Sequence, residues 1–167
     1  YALGVLGDLV DERFRGTAVE CLSEAPAVDD APSTLRDGIA GTAIAALARY
    51  DESGDPRLLE LARTCGDELR TRIDSGVLPE NCGFEQGRLG VAYALARLGD
   101  VDAPAYTDAA TAVVETLPSP LAGAVDRPVA AQFGLLSLSQ YLDGVDAPPI
   151  PSGHDRGYDH LWGGRAG

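Results

Sequence analysis

Three glycine-bearing segments carry the residues best equipped for chemistry: Asp37-Gly38-Ile39-Ala40-Gly41, Gly83-Phe84-Glu85-Gln86-Gly87-Arg88-Leu89-Gly90 and Asp159-His160-Leu161-Trp162-Gly163-Gly164-Arg165-Ala166-Gly167. Each stands at the start of a predicted inner helix, where backbone N–H groups and the helix dipole can hold an anion or a metal-bound thiolate. The glycines also have a steric use, since without Cβ atoms helix starts can crowd together. Glu85, Gln86, Arg88 and Arg165 are the candidate substrate-binding side chains. The two arginines, each one residue past a motif glycine, either meet an acidic peptide or pair with surface acids. Asp37, Glu85 and Asp159 are the acids of the motifs. Two of them facing across a bore would suit a glycan-processing enzyme, whereas one beside a helix N-terminus compensates the dipole.

Thiols and imidazoles offer less. The three cysteines, Cys21, Cys65 and Cys82, are an odd number without paired spacing, which argues against a disulfide framework. Cys21 and Cys65 fall on apolar helix positions and are expected to be small buried hydrophobes. Cys82 falls in a loop, and with His154 and His160 it supplies zinc-ligand chemistry without any short ligand spacing. Tyr93 and Trp162 are expected to pack rather than to form a substrate platform.

The elements that must position these groups repeat. Tyr1-Ala2-Leu3-Gly4-Val5-Leu6-Gly7-Asp8 returns nearly intact at Tyr93-Ala94-Leu95-Ala96-Arg97-Leu98-Gly99-Asp100, and helix ends at Leu6, Tyr50, Leu98 and Leu142 are spaced by 44, 48 and 44 residues. Such a period marks a supersecondary unit that buries its apolar face only by stacking on neighbours. Ile39–Tyr50 and Leu89–Leu98 are apolar nearly all round and are predicted inner helices, with Val129–Leu142 as a further one. Pro56–Ile73 is amphipathic, with Leu58, Ala62, Cys65, Leu69 and Ile73 on one face, and is a predicted outer helix capped by Asp55 and begun by Pro56. Pro104–Leu117 follows the same scheme with Tyr106, Ala109, Ala110, Val113 and Leu117 inward, and Phe14, Ala18 and Leu22 mark another outer helix. Val145–Gly157 carries three prolines and is not expected to be helical. The fold class is therefore all-α: helical hairpins of about 44 to 49 residues in inner and outer layers, an α/α toroid in part.

Composition excludes several partners. With no lysine, thirteen arginines and twenty-six acids, the chain has a formal charge of −13, so nucleic acid lacks the clustered positive surface it needs. No apolar run reaches the roughly 18 residues of a membrane span, which makes the cytoplasm the expected location. The absence of methionine and the start in mid-pattern at Tyr1 lead to the expectation that residues 1–167 are a fragment of one toroid domain.

Tyr1 to Leu117 resembles the cyclase domain of lanthionine synthetases, the LanC-like family, and most closely the C-terminal domain of the class II enzymes. The resemblance is carried by a glycine-containing inner helix, then LLELARTCGDEL from Leu58 to Leu69, then GF-x-x-G-x-x-G-VAYAL from Gly83 to Leu95. It implies an α/α toroid with a central zinc that activates a peptide cysteine thiolate for addition to dehydroalanine or dehydrobutyrine, a precursor peptide as substrate, and a possible dehydratase domain before it. In one register the family's histidine in this motif falls on Gln86, an earlier aspartate on Thr34, and the zinc-ligand positions near Pro128 to Ala131 and at Trp162-Gly163, so the chain holds no zinc ligand. In a second register the C-terminal motif matches the family's aspartate motif, which makes Asp159 catalytic and puts the zinc ligands beyond Gly167. The alternative to a cyclase is a degenerate toroid that binds a peptide or partner protein without catalysis.

Overall fold

A computed structural model describes Glu20, residues 30–117 and residues 129–145. Among these the regular structure is helical, with no strand: α1 (Ile39–Ser53), α2 (Pro56–Asp74), α3 (Arg88–Val101), α4 (Pro104–Glu115) and α5 (Val129–Leu138). None of these helices is long and apolar enough to cross a membrane. Apart from Glu20, the expected outer helix at Phe14 to Leu22 lies outside the described residues, as does the segment after Val145.

The helices form two hairpins with very short turns. α1 ends at Gly54, whose φ of 65° lets its N–H close on the Tyr50 carbonyl, and α2 begins at once. Asp55 caps it by accepting from the Arg57 N–H at 3.0 Å, and Pro56 occupies the first turn, where its missing N–H costs nothing. Only Asp102 and Ala103 separate α3 from α4, which again starts with a proline. Two-residue connections force each pair to lie antiparallel and side by side.

Hairpins then stack in register. α1, α3 and α5 are neighbours in one layer, and α2 and α4 are neighbours in the other. α1 and α3 run parallel: their N-terminal loops share hydrogen bonds, and near their C-termini Arg97 pairs with Asp51 at 2.5 Å. The inner position of α3 is written in its composition. Leu89, Val91, Ala92, Ala94, Leu95, Ala96 and Leu98 are all buried, so apolar side chains on every face find protein. α2 buries one stripe, Leu58, Ala62, Cys65 and Leu69, as predicted, with Ile73 half-buried at its end. In α4, Tyr106, Ala110 and Val113 are buried and Ala109 is half-buried, as is Leu117 just beyond the helix end. The arrangement is that of an α/α toroid in part.

Helix ends differ from expectation by a few residues, most at the last helix. The helix predicted over Val129–Leu142 stops at Leu138, because the chain tightens there: Gln140 and Tyr141 donate to carbonyls three residues back, and the Ser139 hydroxyl takes the Leu136 carbonyl. Leu142 stays buried beyond the helix end.

Outer helices are tied together by a polar contact inside an apolar seam. Tyr106 of α4 is 5% exposed and its hydroxyl donates to Asp67 of α2 at 3.0 Å, with the Arg70 guanidinium 5.6 Å from its ring centroid. Burial, with the Asp67 carboxylate beside it, pushes the Tyr106 phenol up to about 12, and burial alone pushes the Cys65 thiol to about 11. Both groups keep their protons in the fold when the unfolded chain, titrating near 10 and 9, has lost them. Stability is therefore full below pH 9 and falls as pH rises toward about 12. Each group contributes on the order of 2 kcal/mol to that loss. Denaturant titrations across this range are expected to show the decline. Tyr106→Phe is expected to lower stability by about 1 kcal/mol at neutral pH and to flatten the alkaline slope.

Candidate functional site

The site is built from two loops that enter the inner helices, loop 1 (residues 30–38, before α1) and loop 2 (residues 80–87, before α3). They are the same structure displaced by 49 residues: Pro32-Ser33-Thr34-Leu35-Arg36-Asp37-Gly38 aligns with Asn81-Cys82-Gly83-Phe84-Glu85-Gln86-Gly87. In each, the first residue's carbonyl accepts the N–H of the first helical residue, Ile39 to Pro32 at 2.8 Å and Arg88 to Asn81 at 3.1 Å.

The glycines answer to packing. A Cβ on Gly41 would lie 2.1 Å from the Leu35 carbonyl oxygen, and one on Gly90 would lie 2.0 Å from that of Phe84. Gly38 and Gly87, the residues just before the helices, are hemmed in likewise, by the Pro32 carbonyl and by Asn81 and Gly83. The loop backbone thus folds flat against the first turn of its own helix, at a distance no side chain would permit. The two loops also join each other: Leu35 and Arg36 both donate N–H bonds to the Glu85 carbonyl, at 3.0 and 2.9 Å.

Glu85 is half-buried with its carboxylate 3.6 Å from the exposed Arg36 guanidinium, and Gln86 is exposed. These two candidate substrate-binding residues therefore lie together at the joined loops. Arg88 does not reach an acid among the described residues. Its Nε–H donates to the Pro79 carbonyl at 2.9 Å, and another N–H reaches the Thr116 carbonyl and hydroxyl at 3.3 Å, tying loop 2 to the end of α4. Arg72, at the end of α2, ties loop 1 in the converse way, donating to the Ala31 carbonyl at 2.6 Å and the Ser33 hydroxyl at 3.3 Å. Arginine bridges the same junction twice, once from each side. Asp37 is exposed and accepts from the Thr34 hydroxyl at 2.5 Å. Asp159 and Arg165, with His154, His160 and Trp162, lie outside the described residues.

Sequence reasoning missed Asn81, which organises loop 2. Its amide N–H donates to the Gln86 carbonyl at 2.9 Å, its side-chain oxygen accepts from the Gly83 N–H at 3.0 Å, and its own carbonyl holds Arg88. The signal was available in the 49-residue offset of the two loops, which extends to Pro32 and Asn81, upstream of the glycines.

The loops hold no metal centre. Among the described residues no three histidine, cysteine or acidic side chains come together. Cys65 is fully buried, its thiol pushed up by desolvation, and is packed within the apolar core; Cys82 is half-buried in loop 2. The described residues do not fit a zinc ion. Tyr93 packs as expected, its ring 5.3 Å from Phe84 and 6.0 Å from Tyr141 between centroids, and burial is the main cause raising its phenol.

Residues 29–106 match the family model described as lanthionine synthetase C-like protein. The matched stretch takes in both loops, α1, α2 and α3, and supports a LanC-like domain. No curated protein and no solved structure matches the chain.

Gly90→Ala drives a Cβ into a backbone carbonyl that cannot step aside, and is expected to cost 3 kcal/mol or more, about the upper range for overpacking. Gly54→Ala meets no atom within 4 Å and pays only for its positive φ, about 1 kcal/mol. Thermal melts of the two variants check the contrast. Timed alkylation followed by mass spectrometry of peptides is expected to label Cys82 in the native protein and Cys65 only after unfolding.

Proposed function

We propose that this chain is part of a lanthionine synthetase cyclase-like domain, in which its joined loops hold a precursor peptide while a cysteine thiolate adds to dehydroalanine or dehydrobutyrine. The observation that carries the reading is the pair of glycine-locked loops, joined through the Glu85 carbonyl and lying inside the stretch that matches the family model. The likeness in the LLELARTCGDEL and GF-x-x-G-x-x-G segments supports a class II enzyme, with a dehydratase domain in the same protein and a cytoplasmic location. Residues 1–167 are read as one toroid domain in part.

In this reading Gln86 and Glu85 bind and orient the peptide. Gln86 offers both a donor and an acceptor to a peptide amide but transfers no proton, so the loop 2 position does not serve as acid or base. Arg88 holds loop 2 against α4. Asp159 is the candidate for proton handling, and Arg165 for a further contact to the peptide. Zinc belongs to the family's chemistry, where it lowers the thiol pKa. The described residues supply no ligand set for it.

Gln86 also favours the second reading, a degenerate toroid that binds a peptide without catalysis. A synthetic peptide with one cysteine and one dehydroalanine separates the two. Ring closure leaves the peptide mass unchanged and removes the free thiol, so it is read as loss of maleimide labelling in the mass spectrum. With the complete protein that carries this domain, saturable binding in titration calorimetry with loss of labelling is the expected result. Binding with the thiol retained selects the second reading, and no binding removes both.

A further inference from the structure

Loop 1 and loop 2 build the same glycine-locked helix start by the same backbone bond, yet the side-chain bonds across the two turns differ: in loop 1 the Thr34 hydroxyl donates to Asp37, whereas in loop 2 the residue before the turn, Asn81, spans it. In loop 1 that position is Pro32, which has a carbonyl for Ile39 and no side-chain hydrogen bond to give. The loop 1 start therefore packs without a side-chain bond from this first position. In loop 2 the Asn81 carboxamide spans the turn, accepting from Gly83 and donating to Gln86, while its carbonyl holds Arg88. One residue fixes both the entry and the exit of the segment that bears Glu85 and Gln86. Asn81 is itself exposed, so the latch lies at the surface and not in the core.

We infer that Asn81 is a positioning residue for peptide recognition: its side chain sets the shape of the Gly83–Gly87 turn and thereby the placement of Glu85 and Gln86 against the amide groups of a bound peptide. The inference rests on the peptide-binding reading above. Each contact uses one specific half of the carboxamide. The oxygen serves Gly83 and the N–H serves Gln86, so substitutions can break them separately.

The test is the affinity of the full chain for the same dehydroalanine peptide with its cysteine replaced by serine, so that no ring can form. Asn81→Ala loses both side-chain bonds and is expected to weaken binding about tenfold, with the melting transition close to that of the unaltered protein. Asn81→Asp keeps the acceptor for Gly83 but sets a carboxylate oxygen against the Gln86 carbonyl, with a similar loss near neutral pH. As pH falls through the carboxyl range, the introduced group gains an O–H that can donate to Gln86. Affinity of Asn81→Asp relative to the unaltered protein is then expected to recover, while Asn81→Ala does not recover. A role confined to stability would move the melting transitions and give no such pH profile. Equal affinity of all three proteins overturns the inference and leaves the peptide-binding reading in place. Failure of the unaltered protein to bind overturns both. Should Asn81→Ala fail to fold, the pH profile of Asn81→Asp still decides.

Discussion

The structure depends on how closely a loop can be laid against the helix it starts. Pro32 to Gly38 and Asn81 to Gly87 each press a carbonyl oxygen onto the first turn of the following helix, at about 2 Å from where a Cβ would stand on Gly41 or Gly90. That contact fixes the angle at which the chain enters the inner layer. It also brings the two loops within reach of each other, so that Leu35 and Arg36 can both donate to Glu85. A larger residue at either glycine would lift the loop, break the bond between loops, and loosen hairpins that are also joined by the Arg97–Asp51 salt bridge at the far end.

Everything outward of that contact is arranged to hold it. The outer helices bury one stripe each and are joined by the Tyr106 hydroxyl on Asp67. Arg63 of α2 grips both carboxylate oxygens of Asp102 at the end of α3, which holds that carboxyl below the usual range and fastens the outer layer to the inner one. Arg72 and Arg88 fasten the outer helix ends to the loops themselves. In a chain without lysine, these ties fall to a planar guanidinium that can satisfy two oxygens in one direction, which a point-charged ammonium cannot do. The acidic balance of the chain and its structural arginines are thus two sides of one arrangement. Among the described residues most acids are exposed, while several arginines are held by particular carbonyls and carboxylates.

For function, the consequence is a division of labour within the loops. The glycines and the first carbonyl of each loop are spent on the helix start, and Arg88 on the junction with α4. What remains available at the joined loops is Glu85, Gln86 and Asp37, with Asn81 holding the turn that presents the first two. Those are two carboxylates and a carboxamide, groups able to hydrogen-bond a peptide amide. All of them lie in the stretch that matches the LanC-like family model, and among the described residues no three histidine, cysteine or acidic side chains come together.

The sequence by itself determined the layers. Alanine-rich segments apolar on every face could only be inner helices, the Leu58-Ala62-Cys65-Leu69 stripe could only be an outer one, and Asp55-Pro56 fixed where it began, because burial and capping act through spacings a few residues long. The glycine motifs were legible as close-approach points for the same reason. What only the tertiary structure decided were the partners across repeats. Asn81 reads as one polar residue among many until the turn closes on it. Arg88 reads as a surface charge until Thr116, 28 residues away, is brought beside it. Likewise Glu85 reads as a carboxylate, whereas its backbone carbonyl makes the contact between loops. Main-chain bonds and long-range clasps leave no periodic trace in the residue types, since a carbonyl is common to all of them and its use is set by which other segment the fold places within 3 Å.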